Sequence, residues 1–92
     1  MGEGSFKAAK GLIKVNVHVH EKTIQSIQIS GDFFLYPEDS LWELEKTLHG
    51  IKAQKEPILD TIRQFLHDKQ IFSPGVTAED FTQAILLGIK NV

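Results

Sequence analysis

Ninety-two residues, 41% hydrophobic and 24% charged, suit one small globular domain with a modest core. The formal charge of −2 gives no long-range pull toward nucleic acid or an anionic membrane, so neither is expected as a partner. The chain has no cysteine, which excludes a disulfide framework, a thiolate nucleophile and a zinc ribbon. No apolar run is long enough to span a bilayer, and no secretory signal is recognisable, so the expected compartment is the cytoplasm.

Residues 1–5 are glycine-rich and are expected to be disordered. Phe6 to Gly11 reads as an irregular lead-in or a short edge strand. From Leu12 to His20 the pattern is clear. Ile13, Val15, Val17 and Val19 alternate with Lys14, Asn16, His18 and His20, which predicts a strand with one buried and one wet face. Glu21-Lys22 must turn the chain. Neither residue favours the positive φ of the tightest hairpin turns, so a slightly longer turn is expected. A second strand follows over Thr23 to Ser30. Ile24 is out of phase with Ile27 and Ile29, and a bulge near Gln25 would bring all three to one face.

Gly31 stops this strand, and Asp32 is expected to cap the corner by folding its side chain onto nearby backbone. Phe33, Phe34, Leu35 and Tyr36 show no polar–apolar alternation, and Pro37 marks the exit.

Three helices account for the rest. Ser40 and Glu43 have capping-box spacing, Leu41, Leu44 and Leu48 form a stripe, and Gly50 suits the left-handed position after the helix. Pro57 fits the first turn of a second helix striped by Ile58, Leu59, Ile62, Phe65 and Leu66. Ser73-Pro74-Gly75 is a loop. Thr77 and Asp80 cap a third helix striped by Phe81, Ala84, Ile85, Gly88 and Ile89. Strands followed by helices indicate an α+β fold, a small antiparallel sheet of two or three strands packed by three helices.

Few residues invite catalysis. His18 and His20 share a strand face, but a zinc site needs further ligands, and the pair reads more simply as decoration of the wet face. His49 and His67 lie near helix ends, where an imidazolium is favoured by the macrodipole. No serine sits in a nucleophile elbow, and no glycine loop fits a phosphate fingerprint. Lys7, Lys10 and Lys14 form a small basic cluster around Gly11, which could meet a phosphate or an acidic surface but in a near-neutral chain reads more simply as a solvated edge. Phe33, Phe34, Tyr36 and Trp42 crowd one segment. They bridge sheet and helix, or one of them meets a partner.

Three stretches carry a resemblance. Gly11-Leu12-Ile13-Lys14-Val15-Asn16-Val17, then Ile24 to Ser30 running into Gly31-Asp32-Phe33-Phe34, then Leu44-Glu45 and Leu48-His49-Gly50, resemble the C-terminal accessory domain of lipoate–protein ligases. The likeness spans the chain from about Phe6 onward, residues 6–92, and its most specific part is the G-D-F-F turn. The resemblance implies an accessory domain working as a subunit in its own right, in a heterodimer with a catalytic subunit. That catalytic subunit would bind ATP, Mg and lipoate, activate lipoate to lipoyl-adenylate, and pass the lipoyl group to a lysine of a transiently bound acceptor domain. No family active-site residue maps onto this sequence, so this chain is expected to bind no cofactor alone and to be non-catalytic by itself. Lys7, Lys10, Gly31, Asp32, Phe33 and Phe34 are the candidates for contact with the partner or its nucleotide. A protein-binding scaffold unrelated to lipoylation, or a metal-binding protein built on His18 and His20, are the alternatives.

Overall fold

In the computed structural model, which describes residues 2–91, the element order is β1 (Gly2–Ala8), β2 (Gly11–His20), β3 (Thr23–Asp32), α1 (Ser40–Leu48), α2 (Lys55–Asp68) and α3 (Ala78–Lys90). The strands form one antiparallel sheet in the order β1-β2-β3. On the buried side Val15 and Val17 of β2 lie in register with Ile29 and Ile27 of β3, and Ile13 with Gly31; α3 packs on β1 and β2, α1 on β3, and α2 on the two helices. Lys14, Asn16 and His18 pair with Ser30, Gln28 and Ser26 on the opposite face, which no helix covers. The alternation in β2 therefore sorts the residues as its sequence implies. Ile13, Val17, Ile24, Leu44, Leu48, Ile58, Ile62, Phe81 and Ile85 are fully buried. Each such side chain contributes about 1.5–3 kcal/mol of transfer free energy.

Residues 1–5 were expected to be disordered, but β1 begins at Gly2 and is paired along its length, Gly2 with Val17 and Ala8 with Gly11. Met1 lies outside the described residues. The physical reason lies in the glycines themselves. Gly4 faces α3, and a Cβ there would collide with the backbone of Ala84 and Gly88. The absence of side chains is used for close packing of strand on helix. Asn91 adds a tie, its side-chain amide donating to the Glu3 carbonyl at 2.9 Å. A third strand gives the hairpin the support that two strands alone lack.

The β2–β3 connection also differs from expectation. His20 pairs with Thr23, leaving a two-residue turn in which Glu21 and Lys22 both take positive φ, 51° and 67°. The sheet's twist prefers this turn, and it overrides the two residues' own preference. Thr23 helps close the turn by donating its hydroxyl to the His20 carbonyl at 3.0 Å. The expected bulge is present: Val19 pairs with Ile24 and His18 with Ser26, which leaves Gln25 as the extra residue.

Helix α1 does not start with a capping box. Asp39 is its N-cap, with no side-chain cap, and Ser40 lies inside the first turn, buried at 3% exposure. The Ser40 N–H is already taken by the Pro37 carbonyl at 3.0 Å. After α1 the chain returns to the sheet: Gly50 donates to the Ile24 carbonyl at 2.8 Å, and Ile24 donates to the Ile51 carbonyl at 2.9 Å. Gly50 carries φ +85°, as the left-handed position requires. Glu45 accepts from the Ile29 N–H at 2.6 Å. These bonds occupy part of the outer edge of β3, which would otherwise offer itself to another strand. Pro57 sits in the first turn of α2, and α3 has the expected box, Asp80 N–H to the Thr77 hydroxyl at 3.2 Å and Thr77 N–H to the Asp80 carboxylate at 2.9 Å. No helix among the described residues is long and apolar enough to cross a membrane.

The strained turn yields a test. Replacing Glu21→Asn and Lys22→Gly together should stabilise the domain by about 1 kcal/mol, because both new residues tolerate positive φ. Thermal unfolding followed by circular dichroism should show a midpoint raised by roughly 4–8 °C.

Candidate functional site

The corner is built where three connections meet: the β1–β2 turn, the end of β3, and the loop before α3. Ala9 and Lys10 form the two-residue turn between the paired Ala8 and Gly11. Across from them Gly31 holds φ +139°, and a Cβ there would strike the Leu12 carbonyl. Gly11 is hemmed in likewise, since a Cβ on it would meet the Asp32 carbonyl and come within 2.7 Å of the Phe33 Cβ. The two glycines let β2 and β3 pack tightly as the chain leaves the sheet.

The candidate residues then separate. Phe33 turns inward, and its ring meets Phe81 edge-on at 5.5 Å between centroids and 83° between planes. Asp32 does not cap the corner: it is exposed, and among the described residues its carboxylate takes part in no hydrogen bond. Its backbone position at a strand end, paired with Leu12, already satisfies the local geometry. Lys7, Leu12 and Asp32 occupy one cross-strand row on the uncovered face, with Lys7 and Asp32 two strands apart, about 10 Å. Lys10 is held more firmly. Its N–H donates to the Gly75 carbonyl at 3.3 Å, and its aliphatic stem fills the space where a Gly75 side chain would be. The ammonium end is thereby presented from a fixed stem.

Beyond Phe33 an alternation appears that the residue types conceal. Phe33 is half-buried, Phe34 exposed, Leu35 buried and Tyr36 exposed, the burial pattern of an extended segment. Tyr36 pairs with Phe72, N–H to carbonyl in both directions at 2.9 Å. The Tyr36–Pro37 peptide is cis. Phe34, Tyr36 and Phe72 are 58%, 60% and 61% exposed. Reading the sequence as elements missed Phe72 and Gly75 as parts of this corner. The available signal was that Phe72 falls outside the α2 stripe yet is large and apolar.

Elsewhere the surface is mixed. Trp42 is exposed on α1, and Lys46 places its ammonium 3.6 Å from the ring centroid. A recess of about 400 Å³ lies beside this pair, lined also by Ile27, Glu45 and His49. A larger one of about 900 Å³ is lined mainly by polar residues, among them Ser5, Lys14, Asn16, Gln28 and Ser30. His18 and His20 project from the uncovered face, opposite Ser26 and Thr23, and His20 lies 3.7 Å from the Glu21 carboxylate. Among the described residues no three of His, Asp and Glu come together as a metal-binding group.

Fold and corner together define a small α+β domain whose distinctive surface consists of rings and lysines, groups suited to binding. The profile of the bacterial lipoate protein ligase C-terminus family matches residues 3–85, which includes the whole corner. A protein named lipoate-protein ligase A subunit 2, from Thermoplasma acidophilum, is 46% identical over 81 residues, covering 88% of this chain and 83% of the relative. A chain from a solved archaeal lipoylation system of Thermoplasma acidophilum, a bi-partite lipoate protein ligase with its E2 lipoyl domain, superposes with a TM-score of 0.82. It is 44% identical to this chain, over 90% of this chain and 91% of that one. The chain belongs to the lipoate–protein ligase C-terminal family.

The division of labour in the corner predicts unequal mutational costs. Phe33→Ala should destabilise by about 2–3 kcal/mol, since it removes a ring packed on Phe81. Asp32→Ala should change stability by no more than about 0.5 kcal/mol. Urea midpoints of the two variants provide the comparison, and a large loss in the second would restore the capping role to Asp32.

Proposed function

We propose that this chain is the accessory subunit of a two-component lipoate–protein ligase. It binds a catalytic subunit and enables that subunit to activate lipoate. The observation that carries the reading is the 46% identity, over 88% of this chain, to a protein that is itself named as subunit 2 of such a ligase.

In the activated step the carboxylate of lipoate attacks the α-phosphorus of ATP, lipoyl-adenylate forms and pyrophosphate leaves. In the second step an acceptor lysine amine attacks the acyl carbon and AMP leaves. ATP, Mg and lipoate belong to the catalytic subunit in this reading, and no bond-making step is assigned to a residue of this chain. The accessory subunit acts by closing against the catalytic subunit, which excludes water and orders loops around the reactive phosphate. The acceptor is a lipoyl domain that visits the pair transiently, and the compartment is the cytoplasm.

The corner supplies the candidate contacts. Lys7 stands exposed on the uncovered sheet face, and Lys10 is anchored by its stem over Gly75. In the proposed assembly both cations meet the partner or the phosphates of its nucleotide. Gly31 and Phe33 shape the corner from within, Asp32 stands beside it, and Phe34 faces outward.

The test is reconstitution. The isolated chain should release no pyrophosphate from ATP and lipoate, and adding it to a catalytic subunit that lacks an accessory domain should restore lipoyl-adenylate formation. Lys10→Ala should slow that step by roughly tenfold, the weight of one charge-assisted contact. Tight binding to some other protein with no effect on adenylation would favour an unrelated scaffold.

A further inference from the structure

We propose that Phe34, Tyr36 and Phe72 form the centre of the face by which this chain docks on the catalytic subunit, an inference that rests on the ligase reading above. The three rings come from two segments that the fold locks together. Tyr36 and Phe72 are directly opposed across a doubly hydrogen-bonded pair, so their side chains leave the same side. Phe34 stands two residues before Tyr36, with the buried Leu35 between them, and so points the same way.

Exposure of these rings is not a shortage of room inside. Phe65 and Phe81 are buried, and Phe6 and Phe33 pack against the core. Of the four exposed aromatic side chains, Phe34, Tyr36 and Phe72 sit together and Trp42 lies apart on α1. At 58–61% exposure the three present roughly 350 Å² of aromatic surface, taking about 200 Å² per ring. A stable interface takes about 800 Å² from each partner, so this patch alone supplies nearly half of that area. The remainder is available at its rim. Lys10 is joined to the loop three residues beyond Phe72 through Gly75, and the exposed Glu38 and Asp39 follow directly after Pro37. An apolar centre with a polar rim is the anatomy of a protein interface.

The patch is also rigid before any partner arrives. Leu35 anchors the first segment in the core, Phe33 is packed on Phe81, and the paired backbone fixes the second segment. Little ordering entropy is then left to lose on docking. The other exposed apolar side chains lack this character. Trp42 already has Lys46 over its ring, and Leu87, 37% exposed on the last helix, borders the mainly polar recess beside β1. The uncovered sheet face is polar along its rows, with Lys14, Asn16, Gln28 and Ser30. The occupant is therefore an apolar surface on the catalytic subunit that receives the three rings, with charged groups of both signs around it.

The experiment is calorimetric titration of this chain into the catalytic subunit, with Phe34→Ser, Tyr36→Ser and Phe72→Ser, singly and combined, and Trp42→Ser as the comparison. Far-ultraviolet circular dichroism and a thermal melt establish that each variant is folded, and Tyr36→Phe and Phe72→Tyr serve as conservative replacements. Each single serine variant should weaken binding by about tenfold, and the triple variant by about a hundredfold or more. Trp42→Ser and the conservative variants should bind as the parent does. If the triple variant does not fold, the folded single variants decide. Unchanged affinity in folded serine variants, or a loss confined to Trp42→Ser, overturns the proposal. So does a parent chain that is a homodimer broken by these substitutions, since the face would then belong to a second copy. A parent chain with no affinity for the catalytic subunit would instead overturn the ligase reading beneath it.

Discussion

Helix α3 can lie directly on β1 because Gly4 carries no side chain where it meets the backbone of Ala84 and Gly88, while a side chain on Gly88 would crowd Val17 of β2. That contact turns a two-stranded hairpin into a three-stranded sheet. The third strand completes the face on which α1 and α3 pack, with α2 against both, and with it the core that contains Ile13, Val17, Phe81 and Ile85. The same strand leads through Ala8 into the turn that carries Lys10 to the corner, where the Lys10 stem lies over Gly75 and Gly31 lies against the Leu12 carbonyl. Gly4, Gly11 and Gly31 thus serve one purpose, the close approach of one backbone to another. The entropic cost of ordering these residues is offset by packing that no larger residue would allow.

The parts of the fold legible in the sequence are those whose signal is periodic. The alternation of Ile13, Val15, Val17 and Val19 places β2, the phase slip of Ile24 places the Gln25 bulge, and the stripes place the helices. Thr77 and Asp80 cap α3 as their spacing indicates. What stayed hidden was decided by distant contacts. The glycines of β1 resemble a loose terminus until α3 is laid on them. Glu21 and Lys22 adopt positive φ because the sheet's twist demands it. Ser40 lies within its helix because the Pro37 carbonyl arrives first. The four apolar residues from Phe33 to Tyr36 mask an alternation that only burial reveals.

The same distinction runs through the candidate site. The Gly31-Asp32-Phe33-Phe34 turn was visible as a local motif, and its resemblance pointed to the correct family. The motif could not say that Phe33 belongs to the core, that Asp32 stands free, or that Phe72 joins Tyr36 from another part of the chain. Those assignments depend on contacts across long sequence separations, such as Phe33 with Phe81 and Tyr36 with Phe72. A domain of this size that spends its interior on packing has its surface left for contact. Its distinctive exposed groups, rings on a locked pair of segments and a lysine on a fixed stem, are suited to meeting another protein.

The central claim is that this chain works as a partner of the catalytic subunit. The most direct measurement is the rate of pyrophosphate release by a fixed amount of catalytic subunit as this chain is added stepwise. The account predicts a rate that rises from near zero and saturates at one chain per catalytic subunit. A rate that is full without this chain, or that stays unchanged at every ratio, would contradict it.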